Sequence, residues 1–192
     1  MKKLAVLSVL FFLLVGNVVF AQNQNNITWE MAVVKWTGSG EESFSPKRPL
    51  SFKSGEEYYL YIKSDSPAYC YIVQENADRT SSIIFNGILE AGKEMPIPDD
   101  NDFTVPSGTG TIRYYVIISS TPKTNLNRQG TLSGNQHTAL IDEIQTISMS
   151  LSTAQEKPEQ QVVIGGGTRG SSTMAYQYGG LETYVKTIVI GY

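Results

Sequence analysis

One cysteine and one histidine are all this chain holds of the two residue types that most often build metal sites and catalytic dyads. A single thiol, Cys70, makes no internal disulfide and no cysteine-based zinc site. A single imidazole, His137, excludes every two-histidine metal motif. Charged residues are sparse at 17 %, the formal net charge is −3, and no basic run occurs. Electrostatics therefore give no case for nucleic acid or an anionic membrane surface. No Gly-x-Ser-x-Gly elbow is present, so the common hydrolase signature is missing. Beyond residue 21 no apolar run approaches the ~20 residues of a spanning helix.

The one long apolar run lies at the start. Lys2 and Lys3 precede residues 4–15, which are apolar apart from Ser8. Gly16 and Asn17 interrupt the run before Val18, Val19, Phe20 and Ala21. A short positive region, an apolar stretch of this length and small residues at its end describe a bacterial secretion signal. Cleavage is expected between Ala21 and Gln22, leaving residues 22–192 as a single β-rich domain in the periplasm or outside the cell. An uncleaved membrane anchor is the alternative reading of the same run. No cysteine follows it, which argues against a lipid anchor. With the two leader lysines removed, thirteen basic against eighteen acidic groups leave the exported part at −5.

Aromatic and β-branched residues then dominate, in short runs broken by Gly, Pro, Asn, Asp and Ser, as in an antiparallel all-β domain. Strands are expected at TWEMAVVKWT (28–37), EYYLYIKS (57–64), AYCYIVQE (68–75), 80–85 and TIRYYVIISS (111–120). The last is apolar on both faces and predicts a central position. The turn Asp65, Ser66, Pro67 makes 57–64 and 68–75 a candidate β-hairpin. Residues 41–53 read as a loop with a short edge piece. Pro96 and Pro98 exclude a central strand at 95–98, and 102–105 reads as a short strand.

Further on the period changes. Leu140, Ile144, Ile147 and Leu151 form one apolar stripe on a helix near 135–154, stopped before Pro158. A Gly/Ser-rich loop is expected near 165–173, between closing strands at 161–164 and 182–190. Seven or so strands with one late amphipathic helix predict a mainly β fold, an antiparallel β-sandwich with Greek-key-like connections. A closed barrel is the second choice.

Residues 54–123 carry an ordered set of features. Ser54-Gly55-Glu56 precedes EYYLYIKS, AYCYIV leads to the turn Asn76-Ala77-Asp78, and Ile83-Ile84-Phe85-Asn86 follows. Ala91-Gly92-Lys93-Glu94-Met95-Pro96-Ile97-Pro98 comes next, and Gly110 leads TIRYYVIISSTPK. This order resembles the bacterial envelope-associated family named domain of unknown function 4384. It departs from the family pattern in lacking a proline between Phe85 and Asn86 and a glutamate after Gly110. The resemblance implies a β-rich extracytoplasmic accessory domain and supplies no active site.

Several residues invite a chemical reading. His137, at the expected helix start, could serve one catalytic triad, but a solvated or capping role suits that position better. Cys70 in its strand-like run reads as a small buried hydrophobe. The segment GGGTRGSS (165–172) lacks the lysine of a phosphate loop and reads as a hairpin loop. Asp99, Asp100, Asn101 and Asp102 do not have the spacing of a calcium loop. No metal and no cofactor are expected.

Tyrosine is what remains. Tyr59 with Tyr61, and Tyr69 with Tyr71, form same-face ladders; tyrosine is favoured at recognition surfaces and equally as a cross-strand structural pair in any sheet, the reading that weighs more here. These four are the candidate binding residues, with Leu60, Ile62, Cys70 and Ile72 as the deeper, opposite face. The functional expectation is an exported, non-enzymatic binding or accessory module of the cell envelope, docking on a protein or a glycan. The alternative is an envelope hydrolase using His137.

Overall fold

The computed structural model describes residues 26–128, 130–151, 157, 159–164 and 174–192. The expected leader and the Gly/Ser-rich segment 165–173 lie outside them. In chain order the described residues form β1 (Ile27–Thr37), β2 (Gly40–Phe44), β3 (Leu50–Ser51), β4 (Glu57–Ser64), β5 (Ala68–Glu75) and β6 (Ser81–Leu89). Next come β7 (Glu94–Ile97), β8 (Phe103–Thr104), β9 (Thr111–Ser119) and β10 (Thr131–Leu132). Helix α1 (Gly134–Ser150), β11 (Gln160–Val163), β12 (Met174–Leu181) and β13 (Thr183–Gly191) complete the chain.

Period-two alternation puts one apolar row on each face of a strand, and two sheets bury those rows against each other. The first sheet has the order β11-β12-β1-β4-β7, with β2 beside β1 and β8 beside β4. The second runs β10-β6-β5-β9-β13-β3. All named pairs are antiparallel except β3 with β13. Between the sheets Trp29, Met31, Leu60 and Ile62 from one meet Cys70, Ile72, Val116 and Ile118 from the other, all 0 % exposed. The expected β-sandwich is therefore the observed architecture. Trp29 packs against the tilted rings of Tyr178 and Tyr184, with ring centroids 4.9 and 5.7 Å away.

β9 is central, as its two apolar faces predict: β5 flanks it on one side and β13 on the other. Its inner row enters the sandwich. Its outer residue Ile117 joins Tyr71, Val73, Leu140 and Ile144 in a second core under α1. The helical stripe accordingly packs on a sheet face, with Leu140 and Ile144 buried and Ile147 half-buried. The helix ends earlier than 154, because Leu151 already has extended backbone (φ −75°, ψ 125°). Among the described residues no helix is long and apolar enough to cross a membrane.

Two expectations about pairing are corrected. β4 and β5 are not a hairpin: β4 lies between β1 and β7 in the first sheet, β5 between β6 and β9 in the second. The three-residue corner at 65–67 changes layer, held by Asp65 N–H to Thr28 O (2.9 Å) and Ser64 Oγ to Ser66 O (2.7 Å). Each strand has a fully buried inner row, and stacking those rows across the sandwich buries both at once. The segments expected as a closing pair also belong to different sheets, β11 pairing with β12 and β13 with β9. β12 lies between the two expected strands, in a stretch beyond the expected loop to which no element is assigned from the sequence. Its Trp29↔Tyr178 and Met31↔Tyr176 register beside β1 compensates for its glycines by burying aromatic area.

Candidate functional site

Strand register builds a polar cluster at one end of the second sheet. Glu75, the last residue of β5, stands opposite Ser81 of β6 and opposite Arg113 of β9. Its carboxylate therefore lies between two neighbouring strands on the face that α1 covers. Tyr115 donates its phenol O–H to Glu75 Oε2 at 2.8 Å, and Arg113 Nη1 reaches the same oxygen at 3.4 Å. Burial, followed by the Glu75 contact, pushes the Tyr115 phenol up to about 12, so it stays protonated and remains a donor.

The helix brings the imidazole. His137 was expected to be solvated or capping; instead it is buried, at 9 % exposure. The reason is helical geometry: His137 precedes Leu140 by three residues and Ile144 by seven, so it lies on the same sheet-facing stripe. That spacing is the signal in the sequence that marks it. Its Nδ1 is 2.7 Å from Ser81 Oγ, and its Nε2 is 3.6 Å from Glu75 Oε1. Ser81, Glu75 and Arg113 carry no motif, and only the fold assembles them.

The turn between β5 and β6 supplies a further cation. Asn76 N–H donates to Thr80 O (2.9 Å), and Arg79 N–H donates to Asn76 O (3.1 Å). Asp78 Oδ1 accepts from both Thr80 N–H and Thr80 Oγ. These two bonds hold the Asp78 carboxyl below its usual range, with a smaller contribution from His137. Arg79 is left with φ 61°, a left-handed backbone that costs a non-glycine residue roughly 1–2 kcal/mol. Its guanidinium meets no acceptor among the described residues.

These groups border an open cleft of about 540 Å³ lined by Glu75, Arg79, Thr111, Arg113, His137 and Thr138, among others. Gly110 also lines it, and a Cβ there would stand 2.6 Å from the Tyr192 hydroxyl, so a larger residue would have to displace the Tyr192 ring.

A hydroxyl, an imidazole and a carboxylate in a row resemble a nucleophilic triad in composition but not in access. Ser81 is 0 % exposed. Its Oγ lies 2.7 Å from His137 Nδ1 and is enclosed by the surrounding protein. The arrangement instead orients the imidazole, with the serine as the buried anchor. Among the described residues no group of three or more His, Cys, Asp or Glu is placed to hold a metal ion.

The four tyrosines do not share a surface. Tyr59 and Tyr61 lie on the outer face of the first sheet, and Tyr69 and Tyr71 on the outer face of the second, beside α1. Tyr61 and Tyr71 are each only 4 % exposed, whereas Tyr59 and Tyr69 are half-buried. Tyr71 Oη accepts the Lys123 N–H at 2.8 Å. Tyr61 donates toward Glu30 and Glu94 at 3.4 Å each, and Tyr59 toward Glu41 at 3.3 Å. Burial, then the neighbouring carboxylates, raises both the Tyr59 and the Tyr61 phenol. The opposite rows, Leu60 with Ile62 and Cys70 with Ile72, are all fully buried, as expected of the deeper faces.

The geometry defines a two-layer β-sandwich with one covering helix and a polar cleft at its end. Residues 51–122 match the family model of a domain of unknown function (DUF4384), the family whose features the sequence resembles. No curated protein and no solved structure matches this chain. The matched segment contains Glu75, Arg79, Ser81 and Arg113. His137 lies beyond it, on the helix that closes the cleft.

Proposed function

We propose that this protein is an exported, non-enzymatic binding module of the bacterial cell envelope that docks on its partner through the end cleft. One observation carries the reading: among the described residues, the only hydroxyl in hydrogen-bond contact with His137 is fully enclosed. The imidazole is thus tied into the scaffold, and the accessible groups around it are hydrogen-bonding and charged side chains suited to recognition. The leader-like residues 1–21 support export, and the resemblance to an envelope-associated family supports the compartment. The partner is an envelope protein or a glycan. Of the four tyrosines, Tyr59 and Tyr69 retain exposed ring area and lie on opposite faces, so they serve as separate secondary contacts rather than one platform.

Complementation of a deletion strain tests the assignment. Ser81→Ala should retain function once expression is matched, because a binding module needs no nucleophile. Arg113→Ala should lose it. Loss with Ser81→Ala in a protein of unchanged melting temperature would instead favour a hydrolase using His137. Export is tested separately by mass analysis of the N-terminus, which should begin at Gln22. Recovery of the chain with Met1 intact in the membrane fraction would contradict cleavage.

A further inference from the structure

The donor and acceptor inventory of the cleft is lopsided. On the acceptor side, Glu75 is already occupied: Oε2 takes Tyr115 and Arg113, and Oε1 faces His137. Asp78, next to the cleft, has its Oδ1 held inside its own turn by Thr80. On the donor side, Arg79 turns none of its five guanidinium N–H groups to an acceptor among the described residues. Arg113 has a single long contact, and its side chain remains 48 % exposed. Thr111 adds a hydroxyl whose side chain meets no partner among the described residues. A cleft with unfilled forked donors and an occupied lining carboxylate calls for an acceptor-rich ligand.

The backbone points the same way. The turn holds Arg79 in a left-handed conformation that glycine adopts without strain. A long cationic side chain there costs stability and gains no hydrogen bond or ion pair among the described residues. Strain of this kind persists where the side chain has an external role.

The charge of that ligand is bounded by the same residues. The titratable groups that face the cleft or adjoin it are Glu75, Asp78, Arg79, Arg113 and His137. The two carboxylates offset the two guanidinium charges, so the site offers a dianion no net electrostatic gain, while a monoanion with two coplanar oxygens is met by a guanidinium fork. That description fits a carboxylate.

We propose that the end cleft is a carboxylate-recognition site, with Arg79 and Arg113 as the recognising pair and His137 as the group that positions Glu75 beside them. The inference rests on the binding-module reading and names the chemistry of its partner: an acidic side chain of a protein or a uronic-acid unit of a glycan. Both present the same carboxylate, and the experiment separates them.

The exported full chain is titrated with triglutamate, with digalacturonate, and with the neutral controls triglutamine and galactobiose, following the Arg side-chain N–H signals by NMR. At least one carboxylate probe should shift the Arg79 and Arg113 signals saturably, and neither neutral control should. Arg79→Gly and Arg113→Ala should each weaken that probe by about tenfold or more. Arg79→Gly should do so while raising the melting temperature, which a merely structural arginine would not produce. Binding of triglutamate alone identifies a protein partner, digalacturonate alone a glycan, and both the shared chemistry; each supports the proposal. Equal binding of neutral and acidic probes, no binding of either acid, or affinity unchanged in both variants would overturn it. In the last cases retained complementation by Ser81→Ala with loss by Arg113→Ala leaves the binding-module reading standing. Loss by Ser81→Ala removes that reading instead.

Discussion

The phenol oxygens of Tyr58 and Tyr114 meet at 2.7 Å in the interior of the sandwich, one contributed by each sheet. Both side chains are essentially unexposed, at 0 and 1 %. Each hydroxyl is satisfied by the other, so the two can be removed together more cheaply than apart. Tyr58→Phe or Tyr114→Phe alone strands a buried hydroxyl and should cost about 1–3 kcal/mol, whereas the double Phe variant should cost clearly less than the sum. Urea denaturation of the four proteins measures this, and strict additivity would show that the hydroxyls do not depend on one another.

The same pair predicts an alkaline limit. Burial raises the Tyr58 phenol to about 12 from its ordinary value of 10.0. Unfolding releases it to the ordinary value, so the folded state holds the proton more tightly. Its contribution is complete below pH 10 and is lost as pH rises through about 12. Tyr115, also raised to about 12, acts in the same sense. The urea midpoint should therefore fall between pH 10 and pH 12, and less steeply in Tyr58→Phe. A midpoint flat across that window would contradict the burial of these phenols.

Cys70 is fully buried between the sheets, and burial alone pushes its thiol far above the usual range. A thiol reagent at neutral pH should label it only as fast as the native state opens. Labelling should become immediate in denaturant. Rapid stoichiometric labelling of the native protein would place Cys70 outside the core.

The division of the tyrosines between two faces is testable by truncation. Tyr71 is buried under the helix-side core, and Tyr71→Ala should cost about 3–5 kcal/mol, as large aromatic truncations in cores do. Leu140→Ala, across the same contact, should cost about 2–5 kcal/mol. Met149 is 79 % exposed on the outer side of the helix, and Met149→Ala should stay within about 0.5 kcal/mol. Tyr59→Ala should fall between these limits. A Tyr71 cost as small as that of Met149 would mean that α1 does not cover the sheet.

Local chemistry in the sequence was sufficient for the elements themselves. Alternation in EYYLYIKS and TIRYYVIISS specified strands and told inner rows from outer ones, because side chains on a strand alternate regardless of its neighbours. The stripe through Leu140 and Ile144 specified a helix with one apolar face, and one cysteine excluded a disulfide. What the sequence left undecided was which strand lies beside which. A period of two is satisfied equally by a hairpin between β4 and β5 and by an arch that places them in different sheets. Only the simultaneous burial of Leu60, Ile62, Cys70 and Ile72 between two layers selects the arch. That choice sends Tyr59 and Tyr71 to opposite sides of the molecule. The cleft depends on tertiary structure for the same reason. Glu75 and Arg113 are 38 residues apart and Ser81 and His137 are 56 apart. They meet because register and helix docking are set by the burial of apolar rows, which involves none of the polar side chains that register and docking then bring together.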